Sequence, residues 1–471
     1  MSIKVINKYV VSKLVTNFKK INEKIKKFNV KWIRLQFCNP FGLIHQLSIP
    51  AHELTPESFV DGFPLDGSSI LGFTEIDKSD IILIPDPFTF VILPDYFDSY
   101  KNNENSYISK SARMFANIHL GFDGGRYSRD SRYISEKTVR FAEKNGFSSN
   151  WAAEMEFFVF DIPESIKKNS QITSNEAPWG SPNLEDVIQI KKGYYRDSPS
   201  DTLTNFRDEV CDVLETFGIK IKAHHHEVAT AGQSEIVLSH TGLTEMADAF
   251  VTGVKTVREI ASKREMVASF NPKPIPNDNG SAVHVNQSLW KTKNKKKYNV
   301  FYDPSDKYAE LSQTAYYYIG GLLEHARSLC AITNPTAQSY KRLVPGYEAP
   351  TNIAWGKMNR SVSVRIPVHN KKNPQTKRIE YRPPDPTSNI YLVESALLLA
   401  GLDGIKKKIQ PPDSVDVNTY KLSVSKMKSL NIKKLPTSLN EAINAFKSDS
   451  DFLKPVIGAD FMRMYLQYLK N

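Results

Sequence analysis

Two glutamates lie two residues apart in the otherwise apolar run WAAEMEFFVF, residues 151–160. Because residues two apart on a strand point to the same face, Glu154 and Glu156 share one side of any strand formed here. Two unpaired carboxylates on a buried face repel each other and lose their hydration. The run therefore predicts either the exposed side of a sheet or a face over which cations bind.

A second pair of glutamates lies in HHHEVATAGQSEIVL, residues 224–238. Glu227 and Glu235 stand at the ends of two strand-like runs joined by a turn of small residues, and a hairpin would bring their carboxylates together. The three histidines at 224–226 cannot share one metal ion, because neighbouring residues on a strand point in opposite directions. We expect at least two of them to pack and hydrogen-bond locally.

A proline-rich loop precedes a histidine in NPKPIPNDNGSAVHVNQSLW, residues 271–290. The prolines stiffen the loop, its glycine allows close approach to a ligand, and the strand that follows carries His284. Another charged strand lies at 377–382, where Arg378, Glu380 and Arg382 alternate on one face. Both segments place polar groups where a core would be apolar.

The candidate metal ligands are five carboxylates and one imidazole: Glu154, Glu156, Glu227, Glu235, Glu380 and His284. This donor set, which lacks a thiolate, suits Mg²⁺ or Mn²⁺ rather than zinc alone, and so many acids indicate more than one ion. Arginines that can bind carboxylate or phosphate through two bonds cluster in the last third of the chain: Arg342, Arg360, Arg365, Arg378 and Arg382. There is no Walker-type loop. The pattern predicts a metal-dependent enzyme for a phosphorylated and a carboxylated ligand.

Composition limits the class of protein. A chain of 471 residues with 40% hydrophobic and 24% charged residues is expected to be globular with two or more domains. Three widely separated cysteines, Cys38, Cys211 and Cys330, exclude a disulfide framework or a cysteine-built zinc site and favour the cytoplasm. No signal peptide or apolar run of about 18 residues is present, which argues against a membrane protein.

The net charge of +11 invites a nucleic-acid interpretation. Its lysines, however, fall in runs such as KTKNKKK (291–297) and KKK (406–408), without interleaved aromatic residues or a recognition motif. We therefore expect a solvated basic surface and no nucleic-acid partner. An anionic substrate also suits a basic protein.

Hydrophobic periodicity supplies the elements that must position these residues. An amphipathic helix is predicted over 4–29, followed by a hairpin that turns at Asn39-Pro40 and Gly42. Further helices are predicted at 131–145, 201–217, 243–263, 306–330 and 389–407. Strands are predicted at 152–160, 219–228, 233–239, 281–289, 361–367 and 377–382. The polar stretch 161–200 is predicted to be an insertion, and the apolar tail GADFMRMYLQYLKN is expected to dock on protein.

Seven motifs, in order along the chain, resemble those of the type I glutamine synthetase family in its longer, insert-containing subtype. They are LDGSS…KSDIIL (65–83), EMEFFVF (154–160), HHHEVATAGQSEI (224–236), KPIPNDNGSAVH (273–284), YKRLVPGYEAP (340–350), NRSVSVRIP (359–367) and RIEYRPPDPTSN (378–389). The resemblance implies an α+β fold with a small N-terminal β-grasp domain, 1–124. It also implies a large α/β catalytic domain of the glutamine synthetase/guanido kinase type, 125–471, with an insert near 161–200 and a C-terminal docking helix near 458–471.

The family's reaction is a ligation of ammonia to the side-chain carboxylate of L-glutamate. ATP is used through a γ-glutamyl phosphate, and the products are L-glutamine, ADP and phosphate. Two alternatives are a relative that ligates glutamate to a polyamine or other amine, and a non-catalytic structural relative. The first usually lacks the ammonium-site acids, which are present here as Asp66, Asp80 and Glu348. Six intact metal-ligand positions argue against the second, since unpaired buried carboxylates would only destabilise the fold.

Matching positions imply a role for each site residue. Two or more Mg²⁺ or Mn²⁺ ions would be held in two groups: Glu156, Glu227 and Glu235 for the first ion, and Glu154, His284 and Glu380 for the second. Residues that would bind glutamate are Asn279, Gly280, Arg342 and Arg382. Residues that would bind ATP are Tyr194, Ser288, Arg360, Arg365 and Arg378. Residues that would act in catalysis are Asp66 with Asp80 at the ammonium site, the flap residue Glu348, and Arg360.

The resemblance also implies an assembly. Family members form homo-oligomers, here expected to be a cytoplasmic dodecamer of two hexameric rings. The β-grasp domain lends Asp66 to the neighbouring subunit, and the C-terminal helix inserts into the opposite ring.

Three positions depart from the family pattern. Asn286 replaces a histidine that lies against adenine, and a stacking loss of about 1–3 kcal/mol predicts a raised KM for ATP. Glu75 replaces an arginine of the product-inhibited subtype, so such inhibition is not expected. Tyr420 aligns with a tyrosine that some bacterial members adenylylate, but its flanking residues differ, and an ordinary exposed tyrosine is the alternative.

Overall fold

The computed structural model describes residues 8–94, 99–102, 105–122, 124–162 and 188–470. It divides into two compact units, Met1–Ile134 and Ser135–Asn471. Residues 163–187, which are most of the predicted insert, lie outside the described residues, as do the first residues of the predicted N-terminal helix. The predicted domain limits, 1–124 and 125–471, stay a prediction.

The first unit is a helix and a mixed sheet. Its described elements are α1 (Lys8–Lys27), β1 (Trp32–Cys38), β2 (Ile44–Pro50), β3 (Phe63–Asp66), β4 (Asp80–Pro85), β5 (Val91–Ile92), β6 (Ser99–Asn102), β7 (Asn105–Ile108) and β8 (Ser111–Leu120). The sheet has the order β2-β1-β8-β4-β3, with β5 also on β8; β1 and β8 run parallel and the other pairs antiparallel. Strands β6 and β7 form a separate pair.

Alternation of apolar side chains builds the core of this unit. Ile33 and Leu35 of β1 and Met114 of β8 are fully buried in one cluster with Ile21 of α1. The predicted hairpin is confirmed, because β1 and β2 pair in register from Trp32↔Pro50 to Cys38↔Ile44. Its turn is held by the Asn39 carboxamide oxygen, which accepts from the backbone N–H groups of Phe41 and Leu43, each at 3.0 Å.

The second unit carries the larger sheet. Its strands are β9 (Ser148–Asp161), β10 (Ile221–His226), β11 (Gln233–Leu238), β12 (Met266–Ser269), β13 (Val283–Lys293), β14 (Lys296–Asn299), β15 (Asn352–Ile353), β16 (Trp355–Lys357), β17 (Val364–Ile366), β18 (Ile379–Tyr381) and β19 (Lys433–Lys434). The order is β10-β11-β9-β13-β18-β17-β16, with β12 on β9 and β14 on β13, and only β16 and β17 are parallel within this described sheet. The short strands β15 and β19 pair apart from it.

Helices cover one face of this sheet. After α2 (Ser131–Lys144), the described helices are α3 (Thr204–Thr216), α4 (Leu243–Lys263), α5 (Gln313–Glu324), α6 (Ala326–Thr333), α7 (Ala337–Arg342), α8 (Ile390–Lys407), α9 (Val424–Ser429), α10 (Leu439–Ser448) and α11 (Ala459–Tyr468). Met155 and Phe157 of β9 are fully buried. A Cβ on Gly253 of α4 would lie 3.1 Å from the Met155 methyl carbon, so this helix packs directly on β9. The opposite face of β9 carries Glu154 and Glu156.

Most predicted elements are confirmed to within a few residues, but the helix predicted at 306–330 is wrong in its start and its continuity. Helix α5 begins only after Ser312, whose hydroxyl accepts from the Ala315 N–H at 3.1 Å as an N-cap. The helix then breaks at His325, whose ring contacts Asp403 at 3.0 Å and Asp449 at 2.9 Å. Periodicity alone does not register a break imposed by such side-chain contacts.

The C-terminal tail forms α11 as a helix. Phe461, Met462 and Tyr465 are buried within this chain, and the Tyr465 hydroxyl donates to the Ala331 carbonyl at 3.2 Å. The tail therefore docks on its own chain. In the described part of the chain, no helix is long and apolar enough to cross a membrane.

Candidate active site

Strand register brings the predicted metal ligands together across neighbouring strands. Glu235 of β11 lies opposite Glu156 of β9, and Glu154 lies opposite His284 of β13. Two residues further along β13, Asn286 lies opposite Glu380 of β18. We call the acids of this face the carboxylate row: Glu154, Glu156, Glu227, Glu235 and Glu380. The predicted hairpin of residues 224–238 is also confirmed, with Glu227 directly after β10.

Acids of the row form two possible metal-binding groups, each with one histidine: Glu154, Glu235 and His284, and His225, Glu227 and Glu235. In each group, one donor atom per residue lies within 4.8 Å of the others. His284 Nδ1 lies 3.0 Å from Glu154 Oε2 and 3.6 Å from Glu156 Oε1. The Glu156 carboxylate also accepts from the Ala282 backbone N–H at 2.8 Å. Oxygen donors with one or two imidazoles fit a hard divalent cation.

Several acids of the row are buried close together, so their negative charges must be balanced by nearby positive charge or avoided by protonation. Burial raises the pKa of Glu156 to about 6, and the Arg342 guanidinium opposes that rise. Burial and the Glu156 and Glu235 charges raise the pKa of Glu227 well above its ordinary value. Burial and the Glu154 charge act likewise on the pKa of Glu235. Bound cations would allow all three acids to ionise, so the residues present fit divalent metal ions.

Glu380 is compensated differently. Burial alone would raise its pKa, but Arg382, and after it Arg365, lowers the pKa of Glu380 below its ordinary value. Arg382 donates to Oε1 at 2.5 Å, and Arg365 pairs with Oε2. The two guanidiniums thus keep this end of the row ionised.

A cavity beside the row collects the residues predicted to bind glutamate. Its lining consists of Glu156, Tyr194, Glu227, Asn279, Gly280, Ala282, His284, Arg342, Tyr347, Glu348, Ala349, Arg360 and Arg382. The Arg342 guanidinium is fixed by the Pro383 and Arg382 carbonyls, at 2.7 and 3.3 Å. Among the described residues, the buried Asn279 Oδ1 and Arg382 Nε have no hydrogen-bond partner. One acceptor and one donor are therefore available to a ligand with ammonium and carboxylate groups.

The loop before His284 needs its glycine. A Cβ on Gly280 would lie 2.1 Å from the Pro272 carbonyl oxygen, so no other residue fits without movement. The neighbouring Asp278, fully buried, was not singled out from the sequence. Its carboxylate accepts from the backbone N–H groups of Asn279, Lys191 and Thr230 at 2.9, 3.1 and 2.6 Å. It therefore ties three site-forming segments together.

Three residues predicted to bind ATP lie on or beside strands of the sheet: Ser288 on β13, Arg365 on β17 and Arg378 directly before β18. The other two, Tyr194 and Arg360, lie in turns and line the cavity. Asn286 donates to Glu154 Oε1 at 2.9 Å and accepts from Arg378 Nε at 2.9 Å, so it joins a predicted metal ligand to a predicted phosphate-binding arginine. Ser288, two residues further along β13, shares that face and accepts from Trp290 Nε1 at 3.0 Å. Arg365 lies opposite Glu380.

His225 is a site residue that sequence reasoning missed. His224 contacts Asp208 at 2.8 Å, and His226 Nδ1 lies 2.6 Å from the Glu227 carbonyl oxygen, which confirms local roles for two of the three histidines. His225 instead faces Glu235 at 3.2 Å, directly opposite it in register. The signal was available in the sequence: His225 is two residues from Glu227, so in an extended segment it points to the same side as Glu227, which the hairpin brings to Glu235.

A second cavity, of about 830 Å³, lies beside the first and shares Glu348 and Arg360 with it. Glu348 is exposed and has φ +58°, a left-handed conformation rare for glutamate. Tyr420 also lines this cavity. The alternative of an ordinary exposed tyrosine is wrong, since the Tyr420 hydroxyl donates to the Ala349 carbonyl at 2.9 Å and burial raises its pKa to about 12.

Asp66 and Asp80, two of the acids predicted at the ammonium site, belong to the first unit. Asp66 ends β3 and pairs in register with Asp80 of β4. Both side chains are exposed. The Asp66 carboxylate accepts from the Ser68 N–H at 2.8 Å and from the Ser68 and Ser69 hydroxyls, each at 2.6 Å. These hydrogen bonds lower the pKa of Asp66, and the bond from the Ser68 side chain has the largest effect.

Two family models cover most of the chain. The model described as "Glutamine synthetase, beta-Grasp domain" matches residues 29–121, and "Glutamine synthetase, catalytic domain" matches residues 128–471. The chain belongs to the glutamine synthetase family. The predicted family and its α+β fold, with a β-grasp domain and a large catalytic domain, are thereby confirmed.

Relatives match over nearly their whole length. The glutamine synthetase of Sulfolobus acidocaldarius is 46% identical over 457 residues, covering 95% of this chain and 93% of its own. That of Archaeoglobus fulgidus is 39% identical, covering 94% and 91%. A solved structure of Plasmodium falciparum glutamine synthetase superimposes with a TM-score of 0.80 at 25% identity, covering 96% and 95%. This chain is accordingly an ATP-using enzyme, a glutamate–ammonia ligase.

Proposed function

We propose that this chain makes glutamine in two steps at the face of the sheet that bears the carboxylate row. The glutamate side-chain carboxylate first takes the γ-phosphoryl group of ATP, and ammonia then displaces phosphate from the resulting γ-glutamyl phosphate. Activation is needed because a carboxylate is a poor electrophile. The observation that carries this assignment is the juxtaposition of the row with a cavity lined by two buried arginines, Arg342 and Arg382.

The row is proposed to hold at least two divalent ions, Mg²⁺ or Mn²⁺. The first group is Glu156, Glu227 and Glu235, and the second is Glu154, His284 and Glu380. When bound, such ions neutralise developing charge on phosphoryl oxygens. Burial lowers the pKa of His284 well below its ordinary value, which keeps the imidazole neutral, as a ligand must be. Support for the first group comes from the raised pKa of its three acids.

Glutamate binding is assigned to the first cavity. Arg342 and Arg382 would bind its carboxylates, and the unpartnered Asn279 Oδ1 would accept from its ammonium group. Gly280 lets the backbone approach the substrate closely. Because Arg342 is anchored by two carbonyl groups and Arg382 by Glu380, neither guanidinium has to be ordered when substrate arrives.

ATP binding is assigned to Tyr194, Ser288, Arg360, Arg365 and Arg378. Arg360 lines both cavities, and with Arg365 it would stabilise charge on the transferring phosphoryl group. Asn286 would set the orientation of Arg378 through its hydrogen bond to Nε. We predict that the KM for ATP is higher with Asn286 than it would be with a histidine at this position.

The second step needs ammonium binding, proton removal and the exclusion of water. We assign ammonium binding to Asp66, with Asp80, donated by the first unit of another copy of the chain. The low pKa of Asp66 keeps it anionic, and burial on assembly would make it a better proton acceptor. Glu348 would close over the acyl phosphate and protect it from hydrolysis.

The assembly proposed is a homo-oligomer of two hexameric rings in the cytoplasm, of the type I, insert-containing subtype. The three cysteines, Cys38, Cys211 and Cys330, are buried thiols, which suits a reducing compartment. Helix α11 is the element assigned to contact between rings, with Tyr468 among its exposed residues. Light scattering after size-exclusion chromatography would give the subunit number.

The test is an assay of purified protein with glutamate, ATP and Mg²⁺ or Mn²⁺, offering either ammonium or a panel of polyamines. Phosphate release that requires ammonium and yields glutamine supports the proposal. Release only with an amine would establish the amine-ligase alternative. No release with any acceptor, from oligomeric protein, would leave a non-catalytic relative.

A further inference from the structure

Two lysine ammonium groups lie over the aromatic ring of Tyr347. Lys273 Nζ is 3.6 Å from the ring centroid and Lys191 Nζ is 3.9 Å from it, both well within the range of cation–π attraction. Lys191 Nζ also donates to the Gly346 carbonyl at 3.0 Å. Tyr347 directly precedes Glu348, in the segment 344–349, which we call the flap. Both lysines therefore hold the flap next to its acidic residue.

The two lysines connect the flap to the loops of the active site. Lys273 donates to the Asp278 backbone carbonyl, and the Lys191 backbone N–H donates to the Asp278 carboxylate at 3.1 Å. Asp278 in turn holds the backbone of Asn279 in the glutamate cavity. Contacts of Tyr347 thus continue through Asp278 to the loop assigned to glutamate.

The flap backbone requires such support. Glu348 at φ +58° and Gly346 at φ +90° both occupy left-handed conformations, which glycine adopts freely and glutamate does not. A strained residue persists only when its surroundings fix it. The neighbouring contacts that can fix Glu348 are the lysines on Tyr347 before it and the Tyr420 hydroxyl on Ala349 after it.

We propose that Lys191 and Lys273 are positioning residues that keep the flap closed over the glutamate cavity by binding the Tyr347 ring. This rests on the proposed function, in which the closed flap protects γ-glutamyl phosphate. When the clamp is lost, water enters and its oxygen bonds to the γ-carbonyl carbon. The carbon–oxygen bond to phosphate breaks, a proton passes to solvent, and glutamate and phosphate are released without glutamine.

The test uses five variants of the full oligomeric protein. Lys191→Met and Tyr347→Leu remove the interaction, whereas Tyr347→Phe keeps the ring. Lys192→Met is the matched control, because the exposed Lys192 side chain makes no hydrogen bond, ion pair or ring contact with the described residues. Lys191→Arg tests rescue, since a guanidinium also binds aromatic rings.

The first readout is the ratio of phosphate released to glutamine formed. We expect that ratio to rise about threefold to tenfold in Lys191→Met and Tyr347→Leu. It should stay near the wild-type value in Tyr347→Phe and Lys192→Met, and return towards it in Lys191→Arg. A fall in activity with an unchanged ratio in the first two variants would mean a merely structural role and would overturn the proposal.

A second readout does not depend on catalysis. Hydrogen–deuterium exchange of peptides covering 344–349 should be faster in Lys191→Met and Tyr347→Leu than in wild type and Lys192→Met. Equal exchange in all four proteins would refute the clamp even if glutamine is formed. Faster exchange in a protein that forms no glutamine would support the clamp and reject the proposed reaction, so the two failures are distinguishable.

Discussion

The carboxylate row and the Asp66 region differ in how the protein shifts the pKa of their acids. In the carboxylate row, Glu156 is 5% exposed and burial raises its pKa, so the acid is costly to ionise. In the first unit, Asp66 is exposed, and its pKa is lowered by hydrogen bonds from Ser68 and Ser69. Ionisation of Glu156, Glu227 and Glu235 is therefore disfavoured without cations, whereas hydrogen bonds from Ser68 and Ser69 favour the charged form of Asp66.

This difference in pKa suits the different roles proposed for the two regions. In the proposed site, an ion bound beside Glu156, Glu227 and Glu235 would remove the repulsion that opposes their ionisation, so metal binding would stabilise the fold. In the proposed reaction, an exposed aspartate that is already anionic would attract ammonium from solution before the site closes. Changes to the row should affect stability and metal response, and changes to Asp66 should affect activity alone.

The largest effect is expected for Glu235→Gln. An amide cannot provide the anionic oxygen that a divalent ion needs, so glutamine formation should fall below detection. The free energy of unfolding without metal should rise, because the folded protein no longer buries a carboxyl group that ionises more readily in the unfolded chain. In thermal unfolding, Mg²⁺ should raise the melting temperature of the wild-type protein clearly and that of the variant only slightly. A full Mg²⁺ response in Glu235→Gln would remove this residue from the metal site.

Asp66→Asn should lower kcat by about 10²–10⁴, the usual range for loss of a general acid or base. Its melting temperature and its Mg²⁺ response should stay close to those of wild type, because an asparagine oxygen can still accept hydrogen bonds from Ser68 and Ser69 and the side chain is not part of the carboxylate row. Asp77→Asn, at another exposed aspartate of the first unit, is the control for surface charge. If Asp66→Asn melted differently or lost the Mg²⁺ response, the contrast between the two regions would fail.

The response to metal should depend on pH. Glu156 has an ordinary pKa of 4.5 and a folded pKa of about 6, so without ions its contribution favours folding at low pH and is lost as pH rises through that window. Ionised acids bind cations, so the stabilisation by Mg²⁺ should grow over the same window. Melting temperatures at about pH 5 and about pH 7.5, with and without Mg²⁺, measure this. An equal Mg²⁺ shift at both values would contradict the burial argument.

The smallest effect is expected for Asn286→His. A ring beside the proposed nucleotide site should lower the KM for ATP by about tenfold or less. Loss of the Asn286 bridge between Glu154 and Arg378 should offset part of this gain. Steady-state kinetics with ATP varied at saturating glutamate would show it. A rise in KM would mean that the Asn286 bridge to Arg378 contributes more than stacking.

Local patterns predicted the parts of the molecule that depend on nearby residues. The hairpin at Asn39 follows from turn chemistry, and the shared face of Glu154 and Glu156 follows from the two-residue period of a strand. Both features occur in the structure. The pairing of Glu235 with Glu156 required knowing which strands are neighbours. That information came from the motif resemblance, not from periodicity.

Residues that act through long-range contacts were not predictable in this way. Asp278 looks like a turn residue in NDNG, yet it binds three backbone segments, one of them 87 residues away. Lys191 and Lys273 look like solvated lysines, and only the folded chain places both over Tyr347. The break at His325 likewise depends on Asp449, which is 124 residues distant.

The central claim is that the carboxylate row of one copy and Asp66 of another form one active site. Co-expression of Asp66→Asn with Glu235→Gln tests it, since each variant alone should retain at most about 1% of wild-type activity. Mixed oligomers should regain about a quarter of wild-type activity, because that share of sites combines an intact row with an intact Asp66 from a neighbour. No activity in mixed oligomers, shown to contain both chains, would contradict the shared site.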